Sequence, residues 1–301
     1  LIKSIGLIHV NLKKASKALI IEEVSSDNEI IPNKIKEELL ETPFVHLHVH
    51  SQFSVLQSTS QIPTLVEAAY KNNMSALAVT DKGNLMGAFH FIKAVKNHNN
   101  LLEDKSREIK PIVGCEFYVC EDHKDKTRRD DGYQIVFLAK NKKGYHNLSK
   151  MSSLAYTSGF YYVPRIDKEI VEQYKENLIV LTGNLYGEVP SKILNIGERQ
   201  AEESLLWWKN EFKSDLYIEL MRHDQEDEKR VNKSLIALSK KHKVSLVATN
   251  NTYYTNQEDA NAHDILLCLK DGEKQATPIG RGRGFRYGLP NQEYYFKSQE
   301  Q

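Results

Sequence analysis

Hydrophobic positions along this chain follow two alternating rhythms. Short runs rich in Val, Ile, Leu and Phe predict strands at Phe44–His50, Ala76–Asp81, Pro111–Val119, Gln134–Ala139, Leu178–Thr182, Leu216–Met221 and Ser245–Thr249. Between most of them the period lengthens to that of a helix. These segments are Ile62–Asn72, Ala88–His98, Tyr145–Ala155, Lys168–Tyr174, Ala201–Phe212, Asp227–Lys241 and Asp259–Leu269. About seven strands with intervening helices fit βα units around a largely parallel sheet, either a closed (β/α) barrel or a doubly wound sheet. Neither GxGxxG nor GxxxxGK[ST] follows the first strand, which counts against the nucleotide-binding, doubly wound version. A barrel is the expectation.

Residues 1–43 stand outside this rhythm. Helical candidates at Asn11–Ile21 and Asn33–Leu40 flank the polar stretch Glu22–Glu29, and Pro43 ends the segment. They read as a leader or linker, from a further domain upstream, with the barrel occupying 44–301. The chain begins at Leu1 without an initiator Met and is expected to be a piece of a longer protein.

Composition narrows the function classes. The 301 residues carry 41 Lys+Arg against 40 Asp+Glu, a formal charge of +1, and 40% are hydrophobic. That is enough apolar material for a packed core and is not a disordered composition. The balanced charge argues against a chain whose main task is gripping phosphate backbones. No apolar run approaches the roughly 18–20 residues that cross a bilayer, so no membrane role and a cytoplasmic location are expected. Cys115, Cys120 and Cys268 lie in apolar runs without CxxC spacing. They read as buried, reduced thiols.

In either α/β architecture chemistry gathers at the C-terminal ends of strands. The first candidate strand ends in His46-Leu47-His48-Val49-His50, whose alternation turns all three imidazoles to one face. Imidazole is a common nitrogen ligand for zinc, manganese or iron. A row of satisfied core histidines is the other reading of the same spacing.

The wider context resembles a known family. Phe44-Val45-His46-Leu47-His48-Val49-His50-Ser51 is followed by Ala76-Leu77-Ala78-Val79-Thr80-Asp81 with Gly83-Asn84. Then come Pro111-Ile112-Val113-Gly114-Cys115-Glu116-Phe117-Tyr118, Leu138-Ala139-Lys140-Asn141, Gly144-Tyr145 with Asn147-Leu148, Pro164-Arg165-Ile166-Asp167, Val247-Ala248-Thr249-Asn250 and Glu258–Asp264. In this order the blocks resemble the PHP (polymerase and histidinol phosphatase) domain at the N-terminus of bacterial replicative DNA polymerase III alpha subunits. The resemblance implies a distorted (β/α)7 barrel of the PHP type. It also implies a parent protein that extends DNA with two magnesium ions. Partners would be the polymerase core of the same chain, DNA reached through the parent, and the proofreading exonuclease.

In metal-bearing members of that family, a cluster of His, Asp, Glu and Cys at the barrel mouth holds a multinuclear metal site. By resemblance, His48 and His50 match the first ligand pair and Glu116 the carboxylate ligand. The remaining positions depart from the pattern. Gln57 stands where an acid is expected, Lys82 and Gln134 where histidines are, Asn184 where a cysteine is common, and Asn251-Thr252-Tyr253 where Asp-x-His closes the set. Gln and Asn bring no charge to offset an ion, and Lys82 brings a cation. At about 4 Å and an effective dielectric near 20, that like-charge contact costs on the order of 4 kcal/mol. The expectation is a catalytically inactive, structural PHP domain with no cofactor of its own, holding no metal or one weak ion on His48 and His50. Lys82 would pair with Glu116 or Asp81. An active PHP phosphoesterase, or a 3'-5' proofreading-type exonuclease, is the alternative.

Lesser candidates remain. Gly280–Tyr287 mixes glycine, aromatics and the arginines Arg281, Arg283 and Arg286, which suits nucleic-acid contact or a solvated loop. His123 sits in a charged connection, and His223 and His263 are candidates to line the mouth.

Overall fold

A computed structural model of the chain describes residues 43–280 and 282–301. The leader helices expected within residues 1–43, and Arg281, lie outside the described residues. The strands are β1 (Ala76–Val79), β2 (Lys110–Cys120), β3 (Tyr133–Ala139), β4 (Arg165–Asp167), β5 (Leu178–Leu181), β6 (Leu216–Met221) and β7 (Ser245–Thr249). The helices are α1 (Ile62–Lys71), α2 (Ala88–Leu101), α3 (Lys142–Thr157), α4 (Lys168–Tyr174), α5 (Glu188–Asn195), α6 (Glu198–Phe212), α7 (Glu226–His242) and α8 (Ala260–Asp271). Each helix expected after residue 61 is present. The short β4 and α5 had no clear period of their own.

Sequence chemistry explains the helix limits. In α1, Ile62, Leu65, Val66 and Ala69 recur at helical spacing and are all buried. In α7, Glu226, Asp227 and Glu228 occupy the first turn and Lys240, Lys241 and His242 the last, complementing the helix dipole. Asn141 and Asp167 cap α3 and α4 by accepting from the backbone N–H of Gly144 and Ile170.

The sheet runs β1-β2-β3-β5-β6-β7, with β4 paired to β2. The sheet is largely parallel, as expected, with one exception: β3 is antiparallel to both β2 and β5. The charged stretch 121–132 has no helical period and folds the chain straight back on itself. Gly132 completes that return at φ +71, where a Cβ would meet the Val119 and Cys120 backbone at 2.7–2.8 Å.

The expected first strand is also modified. Residues 44–50 form an irregular ribbon, bent at Leu47 and His48, rather than a regular strand. His46 O accepts from Ala78 N and Val49 O from Thr80 N, on the β1 side. On the other side His50 N donates to Thr252 O, and Thr252 N to His48 O. The ribbon therefore spans from the β1 edge to the chain leaving β7, and the curled sheet closes as a distorted barrel.

Alternation along the strands sorts side chains between two cores. Ile135, Phe137 and Ala139 join Phe117, Leu148, Trp208 and Phe212 beneath the helices. Val136 and Leu138 join Leu47, Ile179, Leu181, Tyr217 and Val247 instead. By the same two-residue period Gln134, Glu116 and Glu219 share the inner face. Because β3 is reversed, its first residues lie at the end where β2 and β5 finish.

A candidate metal centre at the barrel mouth

Three elements bring histidines and carboxylates together in a buried cluster. Glu116 Oε2, from β2, lies 3.1 Å from His48 Nε2 and 2.5 Å from His50 Nε2. His48 Nδ1 is 2.9 Å from Glu219 Oε1, which also accepts from Thr249 Oγ1 at 2.5 Å. The Glu219 backbone N–H donates to Thr182 Oγ1 at 2.9 Å. His50 Nδ1 faces the Thr252 carbonyl at 3.2 Å, and its ring stacks on Tyr253 with centroids 4.4 Å apart.

A carbonyl oxygen only accepts, so His50 carries a hydrogen on Nδ1. In its neutral form Nε2 then turns a lone pair toward a carboxylate oxygen. That contact is satisfied by a proton or another cation held between the two atoms. His48, His50 and Glu116 offer three donor atoms within 4.8 Å of one another, a set able to hold a cation.

A cation is already present beside them. Lys82 Nζ lies 3.4 Å from Glu116 Oε1 and donates to Gln134 Oε1 at 3.3 Å. It sits 5.4 Å from the Tyr253 ring centroid and 6.0 Å from that of Tyr118. Asn184 Nδ2 donates to the same Gln134 oxygen at 3.0 Å. Asn251 Nδ2 reaches the Tyr253 hydroxyl at 3.4 Å, and its Oδ1 is buried without a hydrogen-bond partner.

Burial and charge set the protonation of this cluster. Burial pulls the His48 imidazole down, but Glu219 and Glu116 outweigh it and hold its pKa up at about 9. Burial dominates at His50 and takes it down to about 4. Burial opposes the charge on Lys82, yet Glu116 holds its pKa well above the usual lysine value. Burial likewise pushes Glu116 up, and Lys82 and His50 overturn that push to keep it well below the usual carboxylate range.

Most sequence-derived positions meet here. His48, His50, Glu116, Lys82, Gln134, Asn184, Asn251 and Tyr253 form one mouth. Gln57 stands apart, half-buried, with its carbonyl accepting from His263 Nε2 at 2.8 Å. Lys82 pairs with Glu116 and not with Asp81, because Asp81 is taken by Ser51 and Ser54 at 2.7 Å. His46 reaches the Lys297 carbonyl at 2.8 Å and packs on Phe296, so it ties down the distal chain. His223 lies 2.6 Å from Glu228 and stacks on Tyr294.

Arg286 is buried and bonds Asp264 through both guanidinium nitrogens, at 2.7 and 2.9 Å, so it is spent within the fold. Arg283 is exposed. His123 pairs with Asp167, and Arg165 gathers the carbonyls of His123, Asp125, Asp130 and Gly159. These contacts fasten the 121–132 connection. All three cysteines are free and buried.

Sequence reading missed Glu219. The available signal was a carboxylate inside the apolar run Leu216-Tyr217-Ile218-Glu219-Leu220-Met221, where an unpaired charge is costly.

Residues 46–223 match the family model of the PHP domain. The chain belongs to the PHP domain family. This PHP domain is 40% identical over 262 residues to the DNA polymerase III subunit alpha of Borreliella burgdorferi, covering 86% of this chain and 22% of that protein. It is 39% identical to the protein of that name from Treponema pallidum, covering 85% and 21%. For Aquifex aeolicus the figures are 40% identity over 237 residues, 75% and 20%. The chain thus spans about a fifth of the length of the curated relatives it matches. A solved amidohydrolase from Chromobacterium violaceum superposes with a TM-score of 0.44 at 12% identity, covering 69% of this chain and 87% of that one. That likeness is too loose to bear on the site. Among the described residues no helix is long and apolar enough to cross a membrane.

Proposed function

We propose that this PHP domain is the non-catalytic structural part of a DNA polymerase III alpha subunit, its multinuclear metal site lost. The observation that carries the reading is the Lys82 ammonium seated 3.4 Å from the carboxylate that would serve the ions. Paired-metal hydrolysis needs two ions held about 3.5–4 Å apart by an anionic shell. Here the surrounding positions supply carboxamides from Gln134, Asn184 and Asn251 and the phenol of Tyr253, which burial keeps protonated. Three donors in one corner do not fit a multinuclear cluster.

In this reading the domain packs against the polymerase core of the same polypeptide. DNA synthesis, with its magnesium ions, belongs to the parent, and the proofreading exonuclease is a candidate neighbour. Residues 44–301 act as one barrel, preceded by the leader. Arg283 and Arg281 are left as the arginines of the glycine-rich loop for any DNA contact.

The converging His48, His50 and Glu116 favour one alternative, a metal-dependent phosphoesterase or 3'-5' exonuclease. Turnover of a phosphomonoester and of a single-stranded oligonucleotide, each with and without added manganese or zinc, separates the two. No hydrolysis above the His48→Ala background supports the structural reading. Metal-stimulated hydrolysis lost in His48→Ala overturns it.

A further inference from the structure

The packed cluster on Glu116 does not fill the barrel mouth. Beside it lies an open cavity of about 60 Å³, bordered among others by Asn251, Tyr253, Tyr186, Tyr287, Leu289 and Pro290. Among the described residues its one charged wall group is Glu228, which His223 occupies from Nδ1 at 2.6 Å, so the cavity suits a neutral ligand. His223 Nε2 then accepts from the Asn251 backbone N–H at 3.2 Å and holds that residue in place. Asn251 Nδ2 donates to the Tyr253 hydroxyl at 3.4 Å, which leaves Asn251 Oδ1 buried without a partner. A buried acceptor left in this way calls for a donor from outside the fold. Tyr253 supplies the opposite need. Its phenol stays protonated through burial, and because its oxygen accepts from Asn251, its own hydrogen is left to donate. An acceptor and a donor therefore stand side by side. Their complement is a donor next to an acceptor on one planar edge, the pattern of N3–H beside O4 in thymine and of N4–H beside N3 in cytosine. At roughly 10–15 Å³ for each water, the cavity has room for about four to six, the scale of one six-membered ring rather than a fused pair. Leu289 and Pro290 offer apolar walls to the ring faces, and Tyr186 and Tyr287 are partly exposed for stacking.

We propose that this cavity binds a pyrimidine base by its Watson–Crick edge, with Asn251 Oδ1 accepting and the Tyr253 hydroxyl donating. The inference goes beyond the structural reading, which gives the mouth no ligand, and its failure leaves that reading in place. The same chemistry has two sources, a free pyrimidine nucleoside or an unpaired pyrimidine in a single strand.

The test is saturation-transfer NMR of the 301-residue chain, titrated in chelator with deoxycytidine, thymidine, deoxyadenosine and 3-methylthymidine, whose N3 edge is blocked. Both unmodified pyrimidine nucleosides are expected to receive saturation from the protein. Their affinity should exceed that of deoxyadenosine and of 3-methylthymidine by at least about tenfold. Asn251→Ala is expected to lose about tenfold in affinity, and so is Tyr253→Phe, which keeps the ring and removes only the hydroxyl. If Asn251→Ala does not fold, Tyr253→Phe carries the test. Tighter binding of single-stranded oligodeoxycytidylate than of deoxycytidine assigns the site to a strand, and equal or weaker binding assigns it to the free nucleoside. No saturation of either pyrimidine, equal affinity for deoxyadenosine or 3-methylthymidine, or binding that Tyr253→Phe leaves unchanged overturns the proposal.

Discussion

The Lys82–Glu116 pair gives the sharpest handle on how the barrel mouth is held. At the 3.4 Å separation and an effective dielectric near 20, Coulomb's law gives about 5 kcal/mol of attraction. Both groups are buried, so desolvation offsets much of that gain. The observable quantity is the cost of leaving one partner alone, about 3–5 kcal/mol for a buried pair. Lys82→Met, close in volume, strands Glu116 with only its histidines and is expected to cost about 3 kcal/mol. Glu116→Gln strands Lys82 and weakens the bonds to His48 and His50, at about 4 kcal/mol. The double variant removes both charges and is expected to cost about 4 kcal/mol rather than the sum, a coupling near 3 kcal/mol. The lost histidine bonds appear in both arms containing Glu116→Gln and cancel in the cycle. Urea unfolding of the four proteins in chelator at pH 7, followed by far-UV circular dichroism, measures it. Additive costs, within about 0.5 kcal/mol, would show that the two charges do not hold each other and refute the reasoning.

Three further outcomes follow from the same structure. Burial pushes the Glu188 carboxyl up, but Lys168 and Lys192 outweigh it and hold its pKa below the usual value of 4.5. The folded state therefore binds fewer protons there than the unfolded chain, so this stability is fully present above about pH 4.5 and fades as pH falls through the lowered pKa. Glu188→Gln should be less stable than wild type at pH 7, by about 2 kcal/mol, with the gap narrowing below pH 4; a gap that widens in acid contradicts this. Arg286→Ala removes the two-pronged bond to Asp264 and should speed proteolysis within 275–287 without changing affinity for single-stranded DNA. Weaker DNA binding in Arg286→Ala would show that its guanidinium is not spent within the fold. Cys115, Cys120 and Cys268 are buried, so none should react with a thiol reagent until the protein unfolds, and prompt labelling of any in native buffer would be inconsistent with this packing.

Much of this protein was legible in its residue pattern, because apolar period and local chemistry are properties of short segments. Among the described residues, periodicity set out every long helix and every sheet strand but the short β4, and the His-x-His spacing singled out His48 and His50, which meet on Glu116. Resemblance singled out Glu116 and Lys82 together with the amide and phenol positions around them. What the chain pattern left open depended on contacts between distant segments. The reversal of β3 turned on whether 121–132 crosses over or folds back, and local period does not encode direction. That reversal is what puts Gln134 at the mouth, at the start of its strand. Glu219 gained meaning only when β6 set it 2.9 Å from a histidine 171 residues earlier.

The two candidate partners of Lys82 were equivalent in sequence. Tertiary structure chose Glu116 because Ser51 and Ser54 had already satisfied Asp81. His46, alike with His48 and His50 in spacing, was assigned to a backbone carbonyl by where residue 297 returns. Sequence thus determined which groups line the ribbon and strands. Only the closed barrel decided which charges face one another, because a buried charge is fixed by the partners that long-range packing delivers.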